Sequence, residues 1–173
     1  MREDIAVVED VLAGARTALA GDYDAYRNHV YRLIRFCTAL APAADVQTIA
    51  LAAAFHALGI WAASTFDYIA PSRGLAWAYL AARGRLTEAP RIEAMIEYHH
   101  KLTPYRDDSL VEAFRQADAV DISLGHRRFG LDKAFVREVL AGYPNAGFHK
   151  ALVRLFWRRL RAHPGSPAPM LRW

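Results

Sequence analysis

Residues able to bind a metal ion or move a proton recur along this chain at positions that helices would turn inward. His29 in YRNHVYRL, His56 in FHALG, His99 and His100 in IEYHHK, and Asp118 in FRQADAVD each fall on or beside an apolar stripe. Tyr26, His29, Leu33 and Phe36 share one helical face at spacings of three and four, as do Ala52 and His56 further on. Ile92, Ile96 and the two adjacent histidines make a third such set, and Phe114, Asp118 and Asp121 a fourth. Taken singly, each residue has a plain structural reading. A histidine on an apolar face usually serves as a hydrogen-bonded core residue, Asp118 can pair with Arg115, and Asp121 can sit solvated near a helix end. Together they bring one or two ligand-type side chains from each of four helices, and bundles build metal sites by that kind of convergence. Burying so many polar groups is unfavourable unless each finds a partner. Imidazoles and a carboxylate converging in this way can hold a divalent ion of the Mn, Fe, Ni, Co or Mg type.

Helices must position these groups, and the pattern predicts an all-α bundle of about eight. Apolar residues recur at helical spacing, and alternating Val/Ile/Thr runs are missing. The first helix is expected within about 2–20, and a second over about 23–41, capped by Asp22 and stopped by Pro42. Asp45 caps a third that reaches Gly59, followed by a connector over 60–70. Pro71 fits the first turn of a fourth helix that ends near Gly84. Thr87 is expected to cap a fifth that reaches Leu102, and Asp108 or Ser109 a sixth over about 110–123. Asp132 caps a seventh to about Ala141, and Asn145 an eighth to His163. The tail PGSPAPMLRW, residues 164–173, is expected to lie extended on the surface.

At 173 residues, the chain fits a single domain. Its 54% hydrophobic and 23% charged composition excludes disorder, collagen-like repeats and coiled coil. Cys37 is the single cysteine, which excludes an intramolecular disulfide and a multi-cysteine zinc cage and points to a reducing cytoplasm. Arg2, Glu3, Asp4, Glu9 and Asp10 interrupt the first twenty residues, unlike a signal peptide. From Val46 to Phe66 no Lys, Arg, Asp or Glu occurs, a length that permits a membrane span. The polar Gln47, Thr48, His56, Ser64 and Thr65 and the many alanines favour a buried core helix instead, so no membrane is expected. The net charge is +4, and Lys150, Arg154, Arg158, Arg159, Arg161 and Arg172 all follow the last acid, Glu138. A basic final helix attracts phosphate or acidic surfaces. The aromatic and glycine interleaving of RNA-binding modules is missing, however, so nucleic acid is not an expected partner. A solvated helix face, with arginines favoured by the dipole at its C-terminal end, accounts for the charge.

The order of the candidate ligands resembles the HD superfamily of metal-dependent phosphohydrolases. Its pattern is a His, then a His-Asp pair, then a distant Asp, all on helices. His29 matches the first His, His56 the His of the pair, and Asp118 the last Asp. Ala57 stands where the family has the paired Asp. His99 and His100 resemble the one or two further histidines that some members use. The resemblance covers about residues 22–125, with the helices at 1–20 and 132–163 added around that core. It implies one HD-like helical domain, a divalent metal on His29, His56 and Asp118, and hydrolysis of a small phosphorylated molecule such as a nucleotide. His99, His100 and Lys101 would then contact phosphate or shuttle protons, with Arg106 as a second clamp. Asp67, in STFDYIAPS, either reaches inward or caps a local turn. In the family, the Asp replaced here by Ala57 ligates metal and helps orient the attacking water. A methyl group does neither, so activity is expected to be impaired. Three alternatives follow. One is a catalytically inactive binding or scaffolding module, which Ala57 supports. Another is an HD-type two-iron oxygenase, which needs further ligands and a bridging carboxylate. A third is a nucleic-acid or membrane-surface binder working through the last helix. A homo-oligomer is compatible with all of them.

Overall fold

A computed structural model describes residues 5–173. The described residues hold eight helices of nine residues or more. They are α1 (Ala6–Gly14), α3 (Tyr23–Leu40), α4 (Val46–Phe55), α6 (Ile69–Ala81), α7 (Ala89–Tyr98), α8 (Ser109–Ile122), α9 (Lys133–Gly142) and α10 (Phe148–Ala162). Two further helices, α2 (Arg16–Leu19) and α5 (Gly59–Ala62), are four residues each. Among the described residues no strand forms, and an isolated bridge joins Lys101 to Arg172.

The centre of the fold is α4. Its residues from Ile49 to Ala54 are fully buried, and α1, α3, α6 and α7 all pack on it. Alanine makes this possible: small side chains on every face let four helices approach at once, with dispersion contacts made all round. The uncharged stretch from Val46 to Phe66 is thereby a core helix, a turn and the short α5. No described helix is long and apolar enough to cross a membrane. Helix α3 also packs against α8, and α7 against both α6 and α8. The elements that carry or deliver His29, His56, His99, His100 and Asp118 therefore close a ring, α3 to α4 to α7 to α8 and back to α3.

Asp45, Asp108 and Asp132 cap α4, α8 and α9, each accepting from two backbone N–H groups of the first turn. Other boundaries differ from the sequence pattern. The predicted start of the first helix falls partly outside the described residues. Within them that helix breaks at Ala15, and a tight turn over 20–22 follows, with Ala20 at φ 45°. Asp22 caps nothing; it accepts from the Trp61 indole N–H instead. Leu86–Glu88 is a 3₁₀ turn, so Thr87 is no cap, and α7 opens with Pro90 in its first turn. Helix α7 also stops at Tyr98 rather than Leu102, because Leu102 gives its N–H to the Arg172 carbonyl at 2.8 Å. The tail is not a free surface strand. Met170 is buried, and Arg172 bonds Glu97 on α7 at 2.7 Å.

Candidate metal centre

Helix α3 carries His29 inward at its middle, and α4 ends as it delivers His56. The turn after α7 presents His99 and His100, and α8 contributes Asp118 and Asp121. His29, His56, His99, Asp118 and Asp121 are all buried, with His100 at the rim. The ligand atoms of His29, His56 and Asp118 lie within 4.8 Å of one another, as do those of His99, His100 and Asp118. Two triads thus share one carboxylate. Both are groups that could hold a metal ion.

Hydrogen bonds set which imidazole nitrogen faces the cluster. His29 Nδ1 donates to Asp121 Oδ2 at 2.6 Å, and His56 Nδ1 to the Ala53 carbonyl at 2.7 Å. His99 Nδ1 donates to the Ile96 carbonyl at 2.6 Å. A neutral imidazole carries one N–H, so the Nε2 atoms turned inward keep their lone pairs. The Nε2 atoms of His29 and His56 face each other at 2.9 Å. That spacing matches two ligands about 2.0–2.1 Å from a shared ion and close to right angles at it. Asp118 Oδ1 lies 3.8 Å from His29 Nε2 and 3.9 Å from His56 Nε2, and has no hydrogen-bond partner. A buried carboxylate oxygen without a donor, beside two facing lone pairs, is the donor set a cation satisfies. The residues present fit a divalent metal.

The electrostatics point the same way. Burial pushes the imidazoles of His29, His56 and His99 below their ordinary range, and neighbouring histidines push His56 and His99 further. Burial, and then Asp121, push the Asp118 carboxyl well above the carboxylate range. Asp121 behaves oppositely. Burial opposes its charge, but hydrogen bonds from His29 and Arg32 outweigh that and hold it at about 2. Arg32 is fully buried and gives Nε and Nη2 to the two Asp121 oxygens, the latter at 2.9 Å. Phe148 of α10 closes one side by stacking on His29, with ring centroids 4.0 Å apart. Tyr68 closes another, its hydroxyl donating to His99 Nε2 at 3.2 Å.

The centre opens through a cavity of about 300 Å³ that His99, His100 and Asp118 line together with Lys101, Arg115, Arg127 and Leu171. A larger groove of about 770 Å³ is lined from α1, α3, α4 and α9 and holds none of the histidines.

The structure brings His29, His56, Asp118, His99 and His100 together. Lys101 lines the mouth, but its ammonium rests on the Thr103 hydroxyl and the Trp173 carbonyl. Arg106 is exposed and does not line the cavity. Asp67 is exposed in a local turn, where its N–H bonds Thr65 Oγ1. Asp121 is buried, not solvated, because Arg32 and His29 compensate its charge. Asp118 does not pair with Arg115, which bonds Glu112 and the Lys101 carbonyl. The sequence reading missed Arg32, Tyr68 and Arg127. A signal for Arg32 existed: it follows His29 by three, as Asp121 follows Asp118, and such pairs share a helical face. Tyr68 precedes α6 and carries no periodic signal. Compared with family models, curated proteins and solved structures, the chain matches none.

Proposed function

We propose that this chain is an HD-like, metal-dependent phosphohydrolase acting on a small phosphorylated molecule. The observation that carries this reading is the unpartnered Asp118 Oδ1 beside the facing Nε2 atoms of His29 and His56. Lone pairs so arranged and so buried need a cation or a shared proton among them. His29, His56 and Asp118 would hold the ion, and nitrogen and carboxylate ligands of this kind suit Mn, Fe, Co or Ni. A divalent ion there supplies Lewis acidity toward a phosphoryl oxygen and a water of lowered pKa. Asp121 and the Ala53 carbonyl keep both imidazoles turned with Nε2 inward, which fixes the ligands before any substrate arrives. His100, with Nδ1 3.3 Å from Asp118 Oδ2, is placed to pass protons between that carboxylate and the cavity. Tyr68 orients His99 beside it. Ala57 withholds the carboxylate that the family pattern places next to His56, so turnover is expected to be slow.

A second reading, an HD-type two-iron oxygenase, draws support from the second triad. Asp118 belongs to both triads and so offers the bridging carboxylate that Ala57 lacks. Metal analysis and turnover of phosphomonoesters and nucleotides, for the wild type and Asp118→Asn, separate the readings. About one ion per chain, with phosphate release lost in Asp118→Asn, supports the hydrolase. Two irons without phosphate release support the oxygenase. A chain without metal in either form is a binding or scaffolding module.

A further inference from the structure

The cavity beside the centre is walled by cations of unequal freedom. Arg115 is neutralised by Glu112 through bonds of 2.7 and 2.6 Å, and it also donates to the Lys101 carbonyl. Lys101 is held by Thr103 and Trp173. Among the described residues, the Arg127 guanidinium has neither an ion pair nor a hydrogen bond, although its backbone N–H is anchored on Ser123 Oγ at 3.0 Å. Arg127 is therefore the cation at this mouth with donors to spare. Another part of the wall comes from the tail. The Leu102–Arg172 backbone bond and the Arg172–Glu97 pair lay the tail against α7, and Leu171 then lines the cavity. Apart from the two histidine rings, the lining holds no aromatic side chain on which a base could stack. A volume of about 300 Å³ is at the lower end for small-molecule sites.

We propose that this cavity is a size-limited anion subsite in which Arg127 grips the phosphate and Leu171 restricts the attached group to a short aliphatic one. The proposal narrows the substrate class of the phosphohydrolase reading and rests on that reading for the reaction, though not for the binding. Arg127 recognises the anion through charge-assisted hydrogen bonds, and the tail acts as the wall that excludes larger esters.

Calorimetric titration of the manganese-loaded chain with methyl phosphate and with 1-naphthyl phosphate tests it, alongside metal content. Both substituted positions are exposed, so both variants retain the fold. The wild type should bind methyl phosphate at least about tenfold more tightly than naphthyl phosphate. Arg127→Met should weaken methyl phosphate about tenfold with metal content unchanged. Leu171→Ala should bring the two esters to within about threefold of each other. Equal binding of the esters by the wild type overturns the proposal, as does unchanged affinity in Arg127→Met or unchanged preference in Leu171→Ala. A chain that takes no metal yet binds methyl phosphate through Arg127 keeps the subsite and loses the hydrolase. A chain that takes metal but no ester loses the subsite alone.

Discussion

Arg32 shows how much of the centre depends on a residue that touches no ligand atom of either triad. Its guanidinium satisfies both oxygens of Asp121 and donates to the Tyr143 carbonyl at 2.9 Å, all out of contact with water. Removing one partner of a buried pair leaves an uncompensated charge, at a cost of about 3–5 kcal/mol. Arg32→Met is expected to lower the unfolding free energy by about that amount in urea titrations. Asp121 would then take up a proton more readily, releasing His29 from its set orientation. Ala57 tests the opposite direction. The position is buried beside His56, so a carboxylate there is unfavourable without a counter-ion and favourable with one. Ala57→Asp is expected to lower the melting temperature of chelator-treated protein and to raise metal affinity at least about tenfold. Competition against a chelator of known affinity measures the second effect, and an unchanged affinity rules out an HD-type ligand arrangement.

At the scale of elements, the join between α5 and α6 controls how two sides of the centre meet. Gly59 packs so closely that a Cβ there would lie 2.6 Å from the Tyr68 carbonyl oxygen and 2.9 Å from the Ser72 nitrogen. Its N–H also bonds Ser72 Oγ at 2.9 Å. The obstacles are mainly backbone, which cannot swing aside as a side-chain tip can. His56 lies three residues before Gly59, and Tyr68 is the residue that holds His99, so prising α5 from α6 moves both. Gly59→Ala is expected to cost about 1–3 kcal/mol of stability, read in denaturant titrations, and to weaken metal binding in the same protein. A variant that melts early yet binds metal normally would show that the two helices are coupled only through packing. The aspartate caps of α4, α8 and α9 were legible in the sequence because a cap acts within three residues of itself. The early end of α7 was not, since the group that takes the Leu102 N–H comes from the tail.

For the whole molecule, three buried histidines, a fourth at the cavity rim and a buried carboxylate make stability depend on pH. In the metal-free chain, burial lowers the pKa of His29, His56 and His99, and burial with His56 and His29 lowers that of His100. The unfolded chain protonates these groups near about 6.5, so their contribution is present above that pH and lost as pH falls below it. Asp118 acts in the other direction. Its raised pKa contributes stability below about 3.9 that is lost as pH rises toward its folded value. Each histidine that protonates only on unfolding adds about 1.4 kcal/mol per pH unit, and four outweigh one carboxyl. Chelator-treated protein is therefore expected to melt at progressively lower temperature from pH 7 to about pH 5. Metal binding requires neutral imidazoles, so the metal-induced rise in melting temperature should shrink over the same interval. A flat profile in thermal scans would show that the histidines are not held neutral by burial.

The sequence by itself determined the all-α class and the inward placement of His29, His56 and Asp118. Helical periodicity assigns each helix a buried face, and a polar residue on that face is carried into the interior whatever the packing partner. It also marked His99 and His100 as neighbours of that interior, although it took them for helical residues rather than turn residues. Tertiary structure alone decided which groups meet. Arg32 and Asp121 are 89 positions apart, and Glu97 and Arg172 are 75 apart. No local pattern encodes such pairings. They exist because α3 lies on α8 and because the tail folds back over α7. Those same packings bury Asp121 as a compensated charge and bring Arg127 and Leu171 to one cavity, and the packing of α6 on α7 brings Tyr68 to His99. Periodicity reports which way a side chain faces, while the identity of its partner depends on how the helices stack, which only the assembled core settles.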